Sequence, residues 1–219
     1  MDYQALYSFR LRNVNQKSRE IVWQEISRFV SKKTNSPIRV LDPACGIGEF
    51  INSCPAQEKW AVDIGINGSE LNHGIAFIHG SFFDVDLPES YFDLVFLSNI
   101  LEHMESQSMV NRFLEKAFTL LRPGGMIIVM GPNFKYCARN YFDCADHTVI
   151  LTHVSVEEHL AATKFDLVQT SARFLPYSFR SKLPTTRCVV RFYLKFKLIW
   201  HFFGKQFLIV AKRPDAASI

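Results

Sequence analysis

Apolar residues recur along this chain in two rhythms. Five short runs are apolar at almost every position and read as strands buried on both faces: IRVLDPA (38–44), KWAVDIG (59–65), GIAFIHG (74–80), FDLVFLSN (92–99) and GMIIVMGPN (125–133). Elsewhere the apolar spacing is three and four, which predicts helices. SREIVWQEISRFV (18–30) has Ser18 at the N-cap position. SMVNRFLEKAFTLL (108–121) is amphipathic and is stopped by Pro123 and two glycines. Ser155 with Glu158 predicts a capping box for a helix near 156–164. FDLVQTSARF (165–174) and KQFLIVAKR (205–213) read as two late strands. Strands alternating with helices predict an α/β fold, a mostly parallel sheet with helices on both faces.

One further segment, RCVVRFYLKFKLIWHFF (187–203), has a different character. Projected at about 100° per residue, Val189, Phe192, Tyr193, Phe196, Ile199, Trp200 and Phe203 share one helical face. Arg187, Arg191 and Lys195 lie opposite, with Leu194 and Leu198 among them. About 17 residues interrupted by charge do not make a membrane span. Two readings follow. Either the aromatic face packs on the domain and the basic side is solvated, or the helix lies on an anionic bilayer.

Charge sharpens that question. The 219 residues carry a net charge of +4. Residues 167–219 hold ten Lys/Arg against the single acid Asp215, a balance of +9. Residues 1–166 therefore hold fifteen basic and twenty acidic residues, a balance of −5. A basic C-terminal quarter suits an anionic neighbour, whether membrane surface, nucleic acid or phosphorylated substrate, or is simply a solvated face. The length suits one domain with a core of its own. The reading is an N-terminal helical cap (1–36), a ligand-binding core (37–132), and an acceptor-side half (133–219) with a basic aromatic insertion at 175–204. The five cysteines (Cys45, Cys54, Cys137, Cys144, Cys188) form no CxxC pair, and the N-terminus shows no apolar signal core. A reducing, cytoplasmic setting is expected, with peripheral membrane contact through 187–203 as the variant.

The chemistry starts at VLDPACGIGEF (40–50), where an apolar run ends in Asp42 and two close glycines. In open α/β sheets, ligands sit beyond the carboxyl ends of the strands. Gly46 and Gly48 allow a tight turn and close approach to a ligand. No Lys follows, so this is no P-loop, and Ile51 stands where the third glycine of GxGxxG would be. Asp42 suits a ligand that is positive nearby or rich in donors. Asp63 ends the second strand, 21 residues on, where a carboxylate can accept both hydroxyls of a ribose. Ser81, Phe82 and Phe83 follow the third strand, and aromatics beside a small polar group suit an adenine. The plain alternative is a tight turn at Gly46 and Gly48 and a helix cap at Asp63.

Taken in order, DPACGIGEF, AVDIG, HGSFFDVDLP, FDLVFLSNILEH and LLRPGGMIIV resemble the class I S-adenosylmethionine-dependent methyltransferases, over about residues 38–132. The resemblance implies a Rossmann-like, seven-stranded sheet with its last strand antiparallel, KQFLIVAKR being the inserted one. It implies that Asp42, Ala44, Gly46 and Gly48 line the methionine part of the cofactor, with Cys45 beside it. Asp63 would hold the ribose hydroxyls and Ile64 would touch the adenine. Ser81, Phe82 and Phe83 would surround the adenine edge; many members carry an Asp where this chain has Ser81. Ser98 and Asn99 would sit near the sulfonium and the amino-acid end. DPACG also resembles the DNA adenine methyltransferases. Those enzymes need a [DN]PP[YF] motif after the fourth strand, and this chain has LSNILEH there. A DNA substrate is therefore not expected.

A hydroxyl acceptor needs its proton removed by a base or by a metal that lowers its pKa. Candidates cluster after the fifth strand: Asp143, Asp146, His147 and His153, among Tyr136, Tyr141 and Phe142. An aromatic, acid and imidazole-rich wall suits a sugar or another polyol. His147 is the expected base, oriented by Asp146 or Asp143; the alternative is a loop-fixing pair. His103 is expected to close the cofactor pocket or pack its helix, and His153 to serve the helix start at Ser155. No recognised metal spacing is present, so no metal is assigned, although an ion on these acids would serve the same chemistry. PNFKYC, NYFDCADH, RFLPYSFRSKLP and GKQFLIVAKRP are similar to a bacterial methyltransferase subgroup that accompanies polysaccharide and glycolipid biosynthesis genes. That similarity implies O-methylation of a glycan or lipid-linked sugar. A small aromatic or quinone-like acceptor, an RNA substrate, and a non-catalytic binding module on the same fold are the competing readings.

Overall fold

The computed structural model describes residues 3–177 and 185–215. Its strands are β1 (Arg39–Asp42), β2 (Glu58–Asp63), β3 (Ile75–His79), β4 (Phe92–Ser98), β5 (Leu121–Pro132), β6 (Asp166–Ser171) and β7 (Gln206–Lys212). They are ordered β3-β2-β1-β4-β5-β7-β6. β1 with β2, β2 with β3, and β4 with β5 pair in parallel. β7 is antiparallel to both β5 and β6, so the last strand in sequence is the inserted one, as expected. The helices are α1 (Tyr3–Leu11), α2 (Gln16–Lys33), α3 (Glu49–Ser53), α4 (Gln107–Leu120), α5 (Phe134–Tyr141), α6 (His153–Ala162), α7 (Arg187–Lys195) and α8 (Lys197–Phe203), with a 3₁₀ turn at Leu101–His103. The chain divides into two compact units, Met1–Val85 with Ser178–Phe196, and Asp86–Tyr177 with Lys197–Ile219.

In the first unit, α2 buries Val22, Trp23, Ile26 and Val30. Its Ser27 hydroxyl donates to the Phe50 carbonyl of α3 at 3.1 Å. The N-cap is Asn15 rather than Ser18: the Asn15 side chain accepts from the Ser18 amide at 2.9 Å. The apolar rhythm starts later than the helix does, so Ser18 is the third helical residue and supplies the donor. In the second unit, α4 buries Val110, Phe113, Leu114, Ala117 and Leu120, the stripe the sequence predicts. His159 of α6 ties it down through Asn111 and Gln107, both at 2.6 Å.

Three further expectations are corrected. Pro123 and its glycines do not end α4 as a helix stop; Leu121 is already extended and begins β5. Gly125 is needed inside that strand, because a Cβ there would lie 2.8 Å from the Arg122 carbonyl and 2.9 Å from the Phe92 carbonyl. α6 is capped by Thr152 with Ser155 in a reciprocal box, Thr152 N–H to Ser155 Oγ at 2.9 Å and Ser155 N–H to Thr152 Oγ1 at 3.2 Å. The helix starts three residues earlier than Ser155 with Glu158 would place it.

The third correction is the segment 187–203. It is two helices, broken at Phe196, which is extended (φ −101°, ψ 90°). In α7 the buried residues are Val190 and Leu194, while Val189, Phe192 and Phe196 are exposed. The basic residues stay exposed, and two of them reach α2 from the edge of the buried Val190–Leu194 stripe: Arg191 donates to Glu25 at 2.8 Å, and Arg187 to Gln24 at 2.8 Å. Glu25 is buried, and a buried carboxylate requires a cation. Arg28 of α2 also pairs with Glu25, at 2.6 Å, so Arg191 is a second cation there, and it is the burial of Val190 and Leu194 that leaves the aromatic face outside. In α8, Trp200 packs as expected, edge-on to Phe174 at 4.9 Å between ring centroids. The insertion 175–204 and the motif RFLPYSFRSKLP fall partly outside the described residues.

Candidate cofactor and acceptor sites

The first unit brings Asp42 and Asp63 to the carboxyl ends of two adjacent parallel strands. Both carboxylates are buried. Burial, and then the Asp63 charge, push the Asp42 carboxyl up to about 8, against a counteracting amide at Ala44. Asp63 organises the loop: its Oδ2 accepts from the Gly46 amide and its Oδ1 from the Gly65 amide, each at 2.7 Å. The Cys45 amide donates to Val62 of β2 at 3.1 Å. Burial and the two aspartates hold the Cys45 thiol far above its ordinary value, so it is a neutral packing group. Gly48 has φ +78°, and a Cβ there would come within 2.2 Å of Leu71 Cδ2.

Beside this loop, Ile64 is 50% exposed next to the buried acid. Ser81 is engaged within its own turn, accepting from the Phe83 amide at 3.2 Å. Phe82 is buried and Phe83 half-buried. The Arg19–Glu49 ion pair, immediately after Gly48, was not anticipated. Burial raises the Glu49 pKa although Arg19 opposes it. The partners lie thirty residues apart on different helices, and no local pattern signals such a pair.

The second unit holds the other candidates. β4 ends at Ser98, and Asn99 follows with φ +51°. Its amide donates to the Met130 carbonyl at 2.9 Å and its side-chain amide to Ser98 Oγ at 3.0 Å. The turn Leu101–His103 is then clasped by the segment after α5. The Thr148 and Val149 amides donate to the Glu102 carbonyl at 3.0 and 3.2 Å. This clasp sets His147 edge-on to His103, 4.9 Å between ring centroids, and to Tyr141 at 4.7 Å. Tyr141 is fully buried, donates to the Val149 carbonyl at 2.6 Å, and its phenol pKa is raised by burial and by Glu102.

The acid expected behind His147 stands behind His103 instead. His103 Nδ1 donates to the Asp146 carbonyl at 3.0 Å and lies 3.3 Å from Asp146 Oδ2. Asp143 accepts from the Asn140 side chain at 3.1 Å, within its own turn. His153 opens α6 and pairs with Asn133 at 3.0 Å; burial lowers its pKa.

A methyltransferase-domain family profile matches residues 15–169. The chain belongs to that family, and S-adenosylmethionine is its cofactor. A protein of Mycolicibacterium smegmatis described as a probable S-adenosylmethionine-dependent methyltransferase is 23% identical over 120 residues, which is 52% of this chain and 44% of that protein. The chain thus matches less than half the length of that relative. A solved S-adenosylmethionine-dependent methyltransferase from Archaeoglobus fulgidus superposes with a TM-score of 0.68, at 21% identity over 96% of this chain and 100% of the other. The N-methyltransferase NodS of Bradyrhizobium japonicum, solved with S-adenosylhomocysteine, superposes at 0.64 with 14% identity, covering 98% and 99%. Both likenesses are of fold. The residues present fit the cofactor. A carboxylate offers about four acceptor positions, and Asp63 uses two on amides, which leaves two for a ribose diol.

Proposed function

We propose that this protein transfers the methyl group of S-adenosylmethionine to a hydroxyl of a sugar or another polyol, in a glycan or lipid-linked saccharide. The observation that carries the reading is the buried imidazole of His147, held between Tyr141 and the His103–Asp146 pair on the segment that follows β5. Tyr141 is buried and only packs the imidazole, but the exposed Phe142 and half-buried Tyr136 of the same segment suit the apolar face of a sugar, and acids and imidazoles suit its hydroxyls. The bound cofactor supplies an electrophilic methyl on a sulfonium. The protein orients the acceptor and removes its proton, with His147 as base and Asp146 holding the neighbouring ring. Transfer of labelled methyl to oligosaccharides, compared with quinols, tests the acceptor. His147→Ala is expected to lower kcat by about 10²–10⁴-fold and to leave S-adenosylhomocysteine affinity within about twofold. Transfer to quinols alone would move the acceptor to the aromatic class, and an unchanged kcat would remove His147 from the chemistry.

The lipid-linked form draws support from α7. Val189, Phe192 and Phe196 are exposed, the two phenyl rings lie 4.4 Å apart, and the Lys195 ammonium is 5.9 Å from the Phe196 ring. Exposed aromatics flanked by lysine suit an anionic interface. Among the described residues no helix is long and apolar enough to cross a membrane. Cosedimentation with phosphatidylserine vesicles is expected, with release in ~0.5 M salt and severalfold weaker binding in Phe192→Ala/Phe196→Ala. Absence of binding would leave the acceptor soluble.

A further inference from the structure

We propose that Glu102, His103 and His147 form a binding site for one divalent transition-metal ion. The ligand atoms of these three side chains lie within 4.8 Å of one another. Glu102 and His147 are buried, and His103 is half-buried. Two imidazoles and one carboxylate are the donor set preferred by zinc, iron and their neighbours rather than by calcium or magnesium. Bonds of about 2.0–2.1 Å in a tetrahedral shell put ligand atoms roughly 3.3 Å apart, so binding would draw the ligand atoms together by up to roughly 1.5 Å.

A second observation makes the cluster a built site. His103 Nδ1 is committed as a donor to the Asp146 carbonyl at 3.0 Å, with Asp146 Oδ2 at 3.3 Å. That fixes the tautomer and leaves Nε2 as the lone pair of the ring. Metal-binding histidines are ordinarily held by such a bond from the other nitrogen to a carboxylate or carbonyl. The Thr148 and Val149 amides on the Glu102 carbonyl then hold His147 against the turn that carries the other two ligands.

Three protein ligands leave a fourth position for water or a substrate oxygen. The turn follows the carboxyl end of β4, where open α/β sheets place their ligands. Resting on the methyl-transfer reading, this assigns the ion a role. An ion held there would lower the pKa of a coordinated hydroxyl, whose proton would pass to water; His147 is then a ligand, and it is the base only in the ion-free protein. The acceptor class is unchanged.

The test is calorimetric titration of the full chain with Zn²⁺, in a Cys188→Ser background because that thiol is exposed. One equivalent is expected to bind. Glu102→Gln and His103→Ala should each weaken binding at least a hundredfold, and Asp146→Asn by about 10–100-fold. His159→Ala, on α6, should leave it unchanged. Circular dichroism verifies that each variant is folded, and the near-isosteric Glu102→Gln and the half-buried His103 guard against a variant lost to misfolding. No binding by the folded parent, or equal binding by Glu102→Gln and His103→Ala, overturns the site. Titration of the same samples with S-adenosylhomocysteine reports separately on the methyltransferase reading.

Discussion

Asp63→Ala is expected to weaken S-adenosylhomocysteine binding at least tenfold, about 1.4 kcal/mol, and to lower stability as well. The carboxylate has two tasks. It accepts from the Gly46 and Gly65 amides at 2.7 Å each, which holds the glycine loop against β2. Its remaining lone pairs are available to a ribose. Hydrogen bonds to a charged group contribute roughly 1.5–3 kcal/mol each. Both glycines are half-exposed, so water replaces part of the loss, and a net destabilisation of about 2 kcal/mol is expected. Asp63→Asn separates the tasks, since its carbonyl keeps one amide partner while the charge is gone. It should recover stability more fully than affinity. Calorimetric titration and thermal melts of the three proteins decide the matter. Unchanged affinity in a folded Asp63→Ala would remove the residue from the cofactor site, and no binding by the folded wild type would overturn the cofactor assignment.

Asp42→Asn is expected to stabilise the ligand-free protein, by an amount that grows with pH. The Asp42 carboxyl is raised from 3.8 to about 8, first by burial and then by the charge of Asp63. Between those values the folded state holds a proton that the unfolded state has released. Stability therefore falls as pH rises through that window, and the group's full contribution is present only below about pH 4. Asparagine has no such titration and keeps an acceptor for the Ala44 amide. Near pH 4 the two proteins should melt together. At pH 8 the variant should be at least about 2 kcal/mol more stable, roughly 4–8 °C in Tm for a chain of this size. A difference independent of pH would mean that Asp42 titrates normally. The same variant should bind the cofactor more weakly, because the group that can become an anion beside a positive ligand has been removed.

The strands were legible because each is a short-range pattern. β1 and β4 are buried almost throughout and β2 and β5 over their C-terminal halves, whereas β3, expected to be buried on both faces, lies at the end of the order and has no fully buried residue. β6 was legible too, although Leu167 and Val168 are exposed, as befits a strand at the end of the order. Helix ends were less so. Asn15 and Thr152 cap their helices through side-chain acceptors, and Ser18 and Ser155 looked equally suitable one turn away. Propensity marks residues able to cap, whereas the first helical hydrogen bond selects one of them.

The sequence by itself determined the alternation of strand and helix, the two late strands, and the two acids at the ends of β1 and β2; the insertion of the last strand between β5 and β6 came from the family resemblance. The alternation, the late strands and the two acids depend on residues close together in the chain, where backbone geometry dictates what neighbours can do. Tertiary structure alone decided the partners. Asp146 meets His103, forty-three residues away, and Arg191 meets Glu25 at a separation of 166. The pattern of 187–203 showed which residues share a helical face, but not which face would turn inward. Packing decided that: Val190 and Leu194 are buried, Arg187 and Arg191 reach Gln24 and Glu25 of α2 from the edge of the same face, and Phe192 and Phe196 are left in solvent.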